Sequence, residues 1–140
     1  MLGIKLDLQT IGLIQHFEKI TRAKVKDCFV DKLELLTFVV QPGQLRNAVG
    51  KQGFNVKRLE QHLNRKLKII EFNPTLERFV RNVLFPSKVE EVTKEENIIT
   101  VKPLDSKTRG LIIGRNAQNL RNSEATIKRY FQIEELKVTS

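Results

Sequence analysis

The chain has 140 residues, the size of one ordinary domain or two very small ones, which excludes any arrangement of several large domains. Hydrophobic residues make up 40% and charged residues 29%, so a core can form beneath a heavily ionised surface and disorder is not the expected state. With 25 Lys and Arg against 16 Asp and Glu the net charge is +9; a polyanion is the first partner to consider, the alternative being charge that merely keeps a small protein dissolved.

Residues 10–20 carry Leu13, Ile14, Phe17 and Ile20 at helical spacing, with Gln15, Glu18 and Lys19 off the stripe, and predict an amphipathic helix. Residues 22–30 and 33–40 predict two strands joined by a polar turn around Asp31 and Lys32. Pro42 and Gly43 end the second strand, and a short helix is expected to bury Leu45, Ala48 and Val49 and to stop at Gly50. A further helix from Phe54 turns Val56, Leu59 and Leu63 inward and Lys57, Arg58, Glu60 and Gln61 outward; residues 67–72 form a third strand. Asn73-Pro74 then marks a boundary, since the residue before proline is biased away from helix.

Beyond that boundary the order repeats. Residues 75–84 read as a helix through Leu76, Phe79, Val80, Val83 and Leu84, and residues 87–94 and 98–102 as strands around a charged turn at 95–97. Pro103 and Asp105 close the strand and open a helix that contains Leu111, Ile112 and Ile113 and stops at Gly114. The next helix has Leu120, Ala125, Ile127 and Tyr130 as expected buried positions, and residues 133–138 form the last strand. Shifted by 64 residues, Val49, Gly50, Lys51, Asn55, Val56 and Lys57 fall on Ile113, Gly114, Arg115, Asn119, Leu120 and Arg121. The expected domains are therefore 1–73 and 74–140. Residues 1–72 hold 13 Lys and Arg against 7 Asp and Glu, or +6; residues 73–140 hold 12 against 9, or +3. In the first half Arg46, Lys51, Lys57, Arg58, Arg65, Lys66 and Lys68 crowd around the repeated motif.

A helix ending in glycine, two polar residues, a small residue and a second helix makes a turn with little bulk at its corners. A sugar-phosphate chain can approach there, met by the amide groups and dipole at the start of the second helix, with Lys51 or Arg115 adding a full charge. Glycine as a helix stop accounts for Gly50 and Gly114 but not for Gly53, nor for a basic residue at the same place twice.

The segment from Ala48 to Leu59, with Gly50-Lys51-Gln52-Gly53 at its centre, closely resembles the Gly-X-X-Gly region of a KH domain, the family that clamps about four nucleotides of single-stranded nucleic acid. One helix and two strands before the motif, and one strand after it, resemble the type II, prokaryotic-type KH order. Two such units without a flexible linker resemble the tandem KH portion of the NusA transcription factors, most closely the short archaeal NusA-like proteins, over residues 10–138. The resemblance implies an α+β fold of two tandem type II KH domains, with helices packed on one face of each small sheet. It also implies single-stranded RNA binding in transcription elongation, termination or antitermination. No room is left for the polymerase-binding and OB-type domains of the bacterial factor, so any contact with RNA polymerase would use the KH pair itself.

Carried over residue by residue, Gly50, Lys51, Gln52 and Gly53 form the backbone clamp, with Asn55, Lys57 and Arg58 as supporting contacts and Ala48, Val49 and Val56 lining the groove for bases. The second set is Gly114, Arg115, Asn116, Ala117, Asn119 and Arg121. Asn55 and Asn119 read equally as helix caps, and Lys57 and Arg121 as solvated helix faces. Ala117 departs from the pattern. As it opens a helix, an ordinary helical backbone is expected for it, its methyl narrowing the approach of a phosphate.

Other chemistry finds little support. Cys28 is the one cysteine, which excludes an internal disulfide, leaves no cysteine metal site and fits a reducing, cytoplasmic setting. His16 and His62 have no second histidine at ligand spacing and read as helix-face residues. No apolar run approaches the roughly 20 residues of a membrane span, and Lys5 and Asp7 interrupt residues 1–8, so no signal-peptide core is expected. Six residues separate Gly43 from Gly50 where a P-loop has four, and Gln52 stands where Ser or Thr would hold magnesium. Glu90-Glu91 and Glu95-Glu96 read as solvated charge. The expectation is a binding protein and not an enzyme, with no cofactor, metal, membrane or small-molecule substrate. The alternatives are action on ribosomal RNA or service as an interaction scaffold for RNA polymerase or a ribonucleoprotein.

Overall fold

The computed structural model describes residues 7–139; the expected absence of a signal-peptide core at residues 1–8 falls largely outside them. The chain divides after Asn73 into two compact units. The first runs α1 (Leu8–Thr21), β1 (Val25–Val30), β2 (Leu36–Val40), α2 (Leu45–Val49), a single 3-10 turn (Lys51–Gly53), α3 (Phe54–Leu63) and β3 (Leu67–Glu71). The second runs α4 (Leu76–Leu84), β4 (Val89–Glu95), β5 (Ile98–Pro103), α5 (Ser106–Ile113), a 3-10 turn (Arg115–Ala117), α6 (Gln118–Lys128) and β6 (Glu135–Val138). Both sheets have the same topology: the middle strand pairs antiparallel with the strand before it and parallel with the strand after it. Each antiparallel pair is interrupted by an irregularity at its start, between Val25 and Asp27 in one unit and between Val89 and Glu91 in the other.

Sequence chemistry accounts for the element ends. The Asp7 carboxylate accepts the Thr10 N–H at 2.7 Å and opens α1; Arg22, in left-handed backbone, closes it by donating its N–H to Glu18 O. Asp105 repeats the N-terminal device at α5, accepting the Thr108 N–H at 2.7 Å. β2 is buried at every position, as expected of a central strand, and Phe38 on it stacks on Phe17 of α1 at 4.3 Å between ring centroids. Around this pair, Leu36, Val40, Ala48, Leu59 and Leu67 close the first core. In the second unit Phe79, Val80, Ile99, Val101, Ile112, Ile127 and Leu136 are buried, with Tyr130 edge-on to Phe79.

Several expectations are corrected. β2 begins at Leu36 and not at residue 33, because Asp31 Oδ1 accepts the N–H groups of Leu33 and Leu35 and folds residues 31–35 into a loop with Glu34 in left-handed backbone. β1 begins at Val25 because the α1 cap occupies Arg22. β6 begins at Glu135. α6 ends at Lys128, before Tyr130, and it buries Asn122, Ser123 and Thr126 alongside Leu120 and Ile127. Of the expected inward positions on α2, only Ala48 is fully buried.

Ala117 is the correction with the largest consequence. Its backbone is left-handed, φ 59° and ψ 21°, not helical. Gly53, its counterpart, has φ 75° and ψ 16°, and the residues before them agree as closely: Gln52 at φ 54°, Asn116 at φ 55°. The second turn therefore keeps the geometry of the first and carries a side chain in a region that favours glycine.

Left-handed backbone costs an L-residue about 1–2 kcal/mol, partly offset by the greater freedom of unfolded glycine, so Ala117→Gly is expected to raise unfolding stability by roughly 0.5–1 kcal/mol in denaturant titrations; a loss would mean that the methyl makes a stabilising contact. At the start of α5, the Thr108 N–H and then its hydroxyl hold the Asp105 carboxyl below its ordinary pKa of 3.8. Its contribution to stability is thus complete above that value and is lost as the pH falls through the lower folded-state pKa. Asp105→Ala is expected to lower the melting temperature at neutral pH, with the gap to the natural sequence closing in acid; a gap that persists in strong acid would contradict this role.

Candidate nucleic-acid interface

Gly50 follows α2 and has φ 77° and ψ 169°. Its N–H donates to Arg46 O, so the residue does end the helix. A Cβ at Gly50 would lie 2.8 Å from Asn55 Cγ and 2.9 Å from the Asn55 backbone nitrogen, closer than real side chains pack. The Asn55 amide fills this space and donates from Nδ2 to Asn47 O at 2.8 Å, supplying a partner for a carbonyl at the end of α2. The second unit repeats the arrangement: a Cβ at Gly114 would meet Asn119 Cγ at 2.5 Å, and Asn119 Nδ2 donates to Leu111 O at 3.0 Å. Asn55 and Asn119 thus join two helices across the turn.

The turn closes with Gly53 N–H on Gly50 O at 3.2 Å and Phe54 N–H on Lys51 O. The N–H groups of Lys51 and Gln52 donate to no acceptor among the described residues. Two successive open donors, on Lys51 and then on the left-handed Gln52, just before α3, form a concavity of the kind that binds anions. Arg115 and Asn116 hold the same place in the second turn. Lys51, Gln52, Arg115 and Asn116 are all exposed.

The flanking charges differ between the units. Lys51, Lys57 and Arg58 make no ion pair among the described residues, and Lys51 and Arg58 are exposed. Arg121, the counterpart of Lys57, is held by Glu124 at 2.8 Å and approaches Glu135 at 3.9 Å. Lys68 is removed from the cationic cluster: it is half-buried on β3, and desolvation pushes its pKa down while Asp31 pulls it back up. Ala48, expected to line the base groove, is 0% exposed and belongs to the core; Val49 and Val56 are half-buried and remain available.

Sequence reasoning missed three features. Phe54, at the head of α3, is 61% exposed beside the turn. Glu60 and Glu124, also 64 residues apart, each accept the N–H of a leucine on the third strand of their unit, Leu67 at 3.2 Å and Leu136 at 2.8 Å. His16 and His62 lie with ring centroids 5.6 Å apart, brought together by the packing of α1 and α3. The shift of 64 could have exposed the glutamates; no local signal announces the histidine pair.

A KH-domain family model matches residues 14–97, from within α1 to the turn before β5. Three archaeal proteins, each named a probable transcription termination protein NusA, are similar over nearly the whole chain. The Halobacterium salinarum protein is 33% identical over 97% of this chain and 99% of its own length. The Halococcus morrhuae protein is 32% identical over 89% and 91%, and that of Methanocaldococcus jannaschii 29% identical over 99% and 76%. The solved structure of the protein APE1850 superposes with a TM-score of 0.77 at 24% identity, covering 96% of this chain and all of that one, and so shares the fold. With the doubled turn geometry, these matches place the chain in the KH-domain family, among its archaeal NusA-like members.

Proposed function

We propose that this chain is an RNA-binding transcription elongation and termination factor, non-enzymatic and cytoplasmic, built of two tandem type II KH domains at residues 1–73 and 74–140. The repeated element order, the identical sheet topology and the recurrence of the turn at Gly114 support the tandem reading. The observation that carries RNA binding is the pair of open N–H groups at Lys51 and Gln52, flanked by cations that no carboxylate neutralises among the described residues. A phosphate seated there receives two backbone hydrogen bonds and the Lys51 charge, while the bases lie toward Val49 and Val56.

On this reading each residue has a role that the geometry supports. Gly50, Gly53 and Asn55 hold the turn; Lys51 and Gln52 bind; Lys57 and Arg58 attract the backbone. In the second unit Gly114, Asn119 and Ala117 hold the turn and Arg115 and Asn116 bind, more weakly because Arg121 is engaged by two carboxylates. That engagement favours a second use for this unit, contact with a protein partner such as RNA polymerase.

Unstructured RNA is expected to bind with a log-log salt slope of about −0.7 for each phosphate neutralised. Replacing Lys51 and Gln52 together with Asp is expected to weaken binding at least about tenfold with the circular dichroism spectrum unchanged. Replacing Arg115 and Asn116 with Asp should cost less. Undiminished binding by the first double variant would remove the first turn as the site; an equal or larger loss from the second would reverse the ranking.

A further inference from the structure

The outward face of α3 carries, besides Lys57, groups to which the turn assigns no role. Phe54 heads the helix, largely exposed and without a ring partner among the described residues. Residues three and seven further on, Lys57 and Gln61, share its face. Lys57, Gln61, Arg65 and Lys66 line a cleft of about 490 Å³. The one carboxylate there, Glu60, accepts the Leu67 N–H with one oxygen and pairs with Lys66 at 3.6 Å through the other. Lys57 and the Arg65 guanidinium keep no ion pair among the described residues.

The second unit provides an internal comparison. Gln118 replaces the aromatic residue and Ala125 replaces Gln61, while Arg121 and Lys128 are both drawn to Glu124. The helix is the same, yet its outward charge is internally compensated. The first unit alone combines an exposed ring with open cations at this place.

Resting on the function proposed above, we propose that the outward face of α3 is a second contact for the same RNA strand: a base stacks on Phe54 where the strand leaves the turn, and the next phosphates lie in the cleft of Lys57 and Arg65. The face is continuous with the turn, and α3 is about 15 Å long, room for more strand than the clamp holds. Cations alone would suit any acidic partner. An aromatic ring interleaved with them suits a polyanion that carries bases, because every base has a face to stack.

The chain contains no tryptophan, so Phe54→Trp places a single reporter at this position. Unstructured RNA longer than the clamp is expected to quench its fluorescence to saturation. Phe54→Ala should weaken that RNA about tenfold with the salt slope unchanged, since stacking releases no counterions, and Phe54→Tyr should restore the affinity. Arg65→Gln should flatten the slope by about 0.7. If the natural chain binds RNA through Lys51 and Gln52 but Phe54→Ala and Arg65→Gln bind identically and the Phe54→Trp reporter stays silent, the α3 contact is overturned and the turn stands. Quenching by an acidic peptide and not by RNA would also overturn it. No RNA binding by the natural chain would overturn both.

Discussion

The geometry of the first turn depends on one packing interaction, the Asn55 amide lying against the Cα of Gly50 where a side chain would otherwise stand. Glycine leaves the space, and the amide fills it and reaches Asn47 O on the preceding helix. The two helices are thereby tied together, and the turn between them holds Gln52 and Gly53 in left-handed backbone. Such backbone costs a non-glycine residue about 1–2 kcal/mol, and Gln52, Asn116 and Ala117 all adopt it. The surrounding lock sustains the strain, and beside it lie two N–H groups with no acceptor among the described residues.

Because the lock recurs at Gly114 and Asn119, the two turns share their backbone and differ only in side chains. Ala117 adds a methyl group. Gln118 stands in place of Phe54. Arg121 faces Glu124 and Glu135, whereas Lys57 keeps no ion pair among the described residues. One scaffold thus presents a cationic, aromatic surface in the first unit and a compensated one in the second, without any change of fold. Arg121 is itself partly exposed, so the effect of its pairing here is mainly on the field a polyanion meets.

Much of this is legible in the sequence because it is local. Helical periodicity places α1, α3 and α4, glycines mark the ends of α2 and α5, and the shift of 64 residues exposes the repeat. What escapes depends on contacts across the fold or on competition between neighbours. The Asp31 side chain outcompetes strand pairing for the N–H groups of Leu33 and Leu35, so an apolar stretch becomes a loop. Ala117 reads as the first residue of a helix, and its backbone is set by Gly114 and Asn119 instead. Lys68 reads as one more surface cation until β3 carries it near Asp31. Phe54 reads as an ordinary apolar helix position, and only its exposure singles it out.

Two backbone amides carry the binding proposed for this chain, and chemical shifts report on them directly. In a titration of the isotopically labelled protein with a short single-stranded RNA, the Lys51 and Gln52 amide resonances are expected to move furthest and saturate together, with Arg115 and Asn116 following at higher RNA concentration. If those amides stay fixed while resonances elsewhere shift, the turn is not where the phosphate binds.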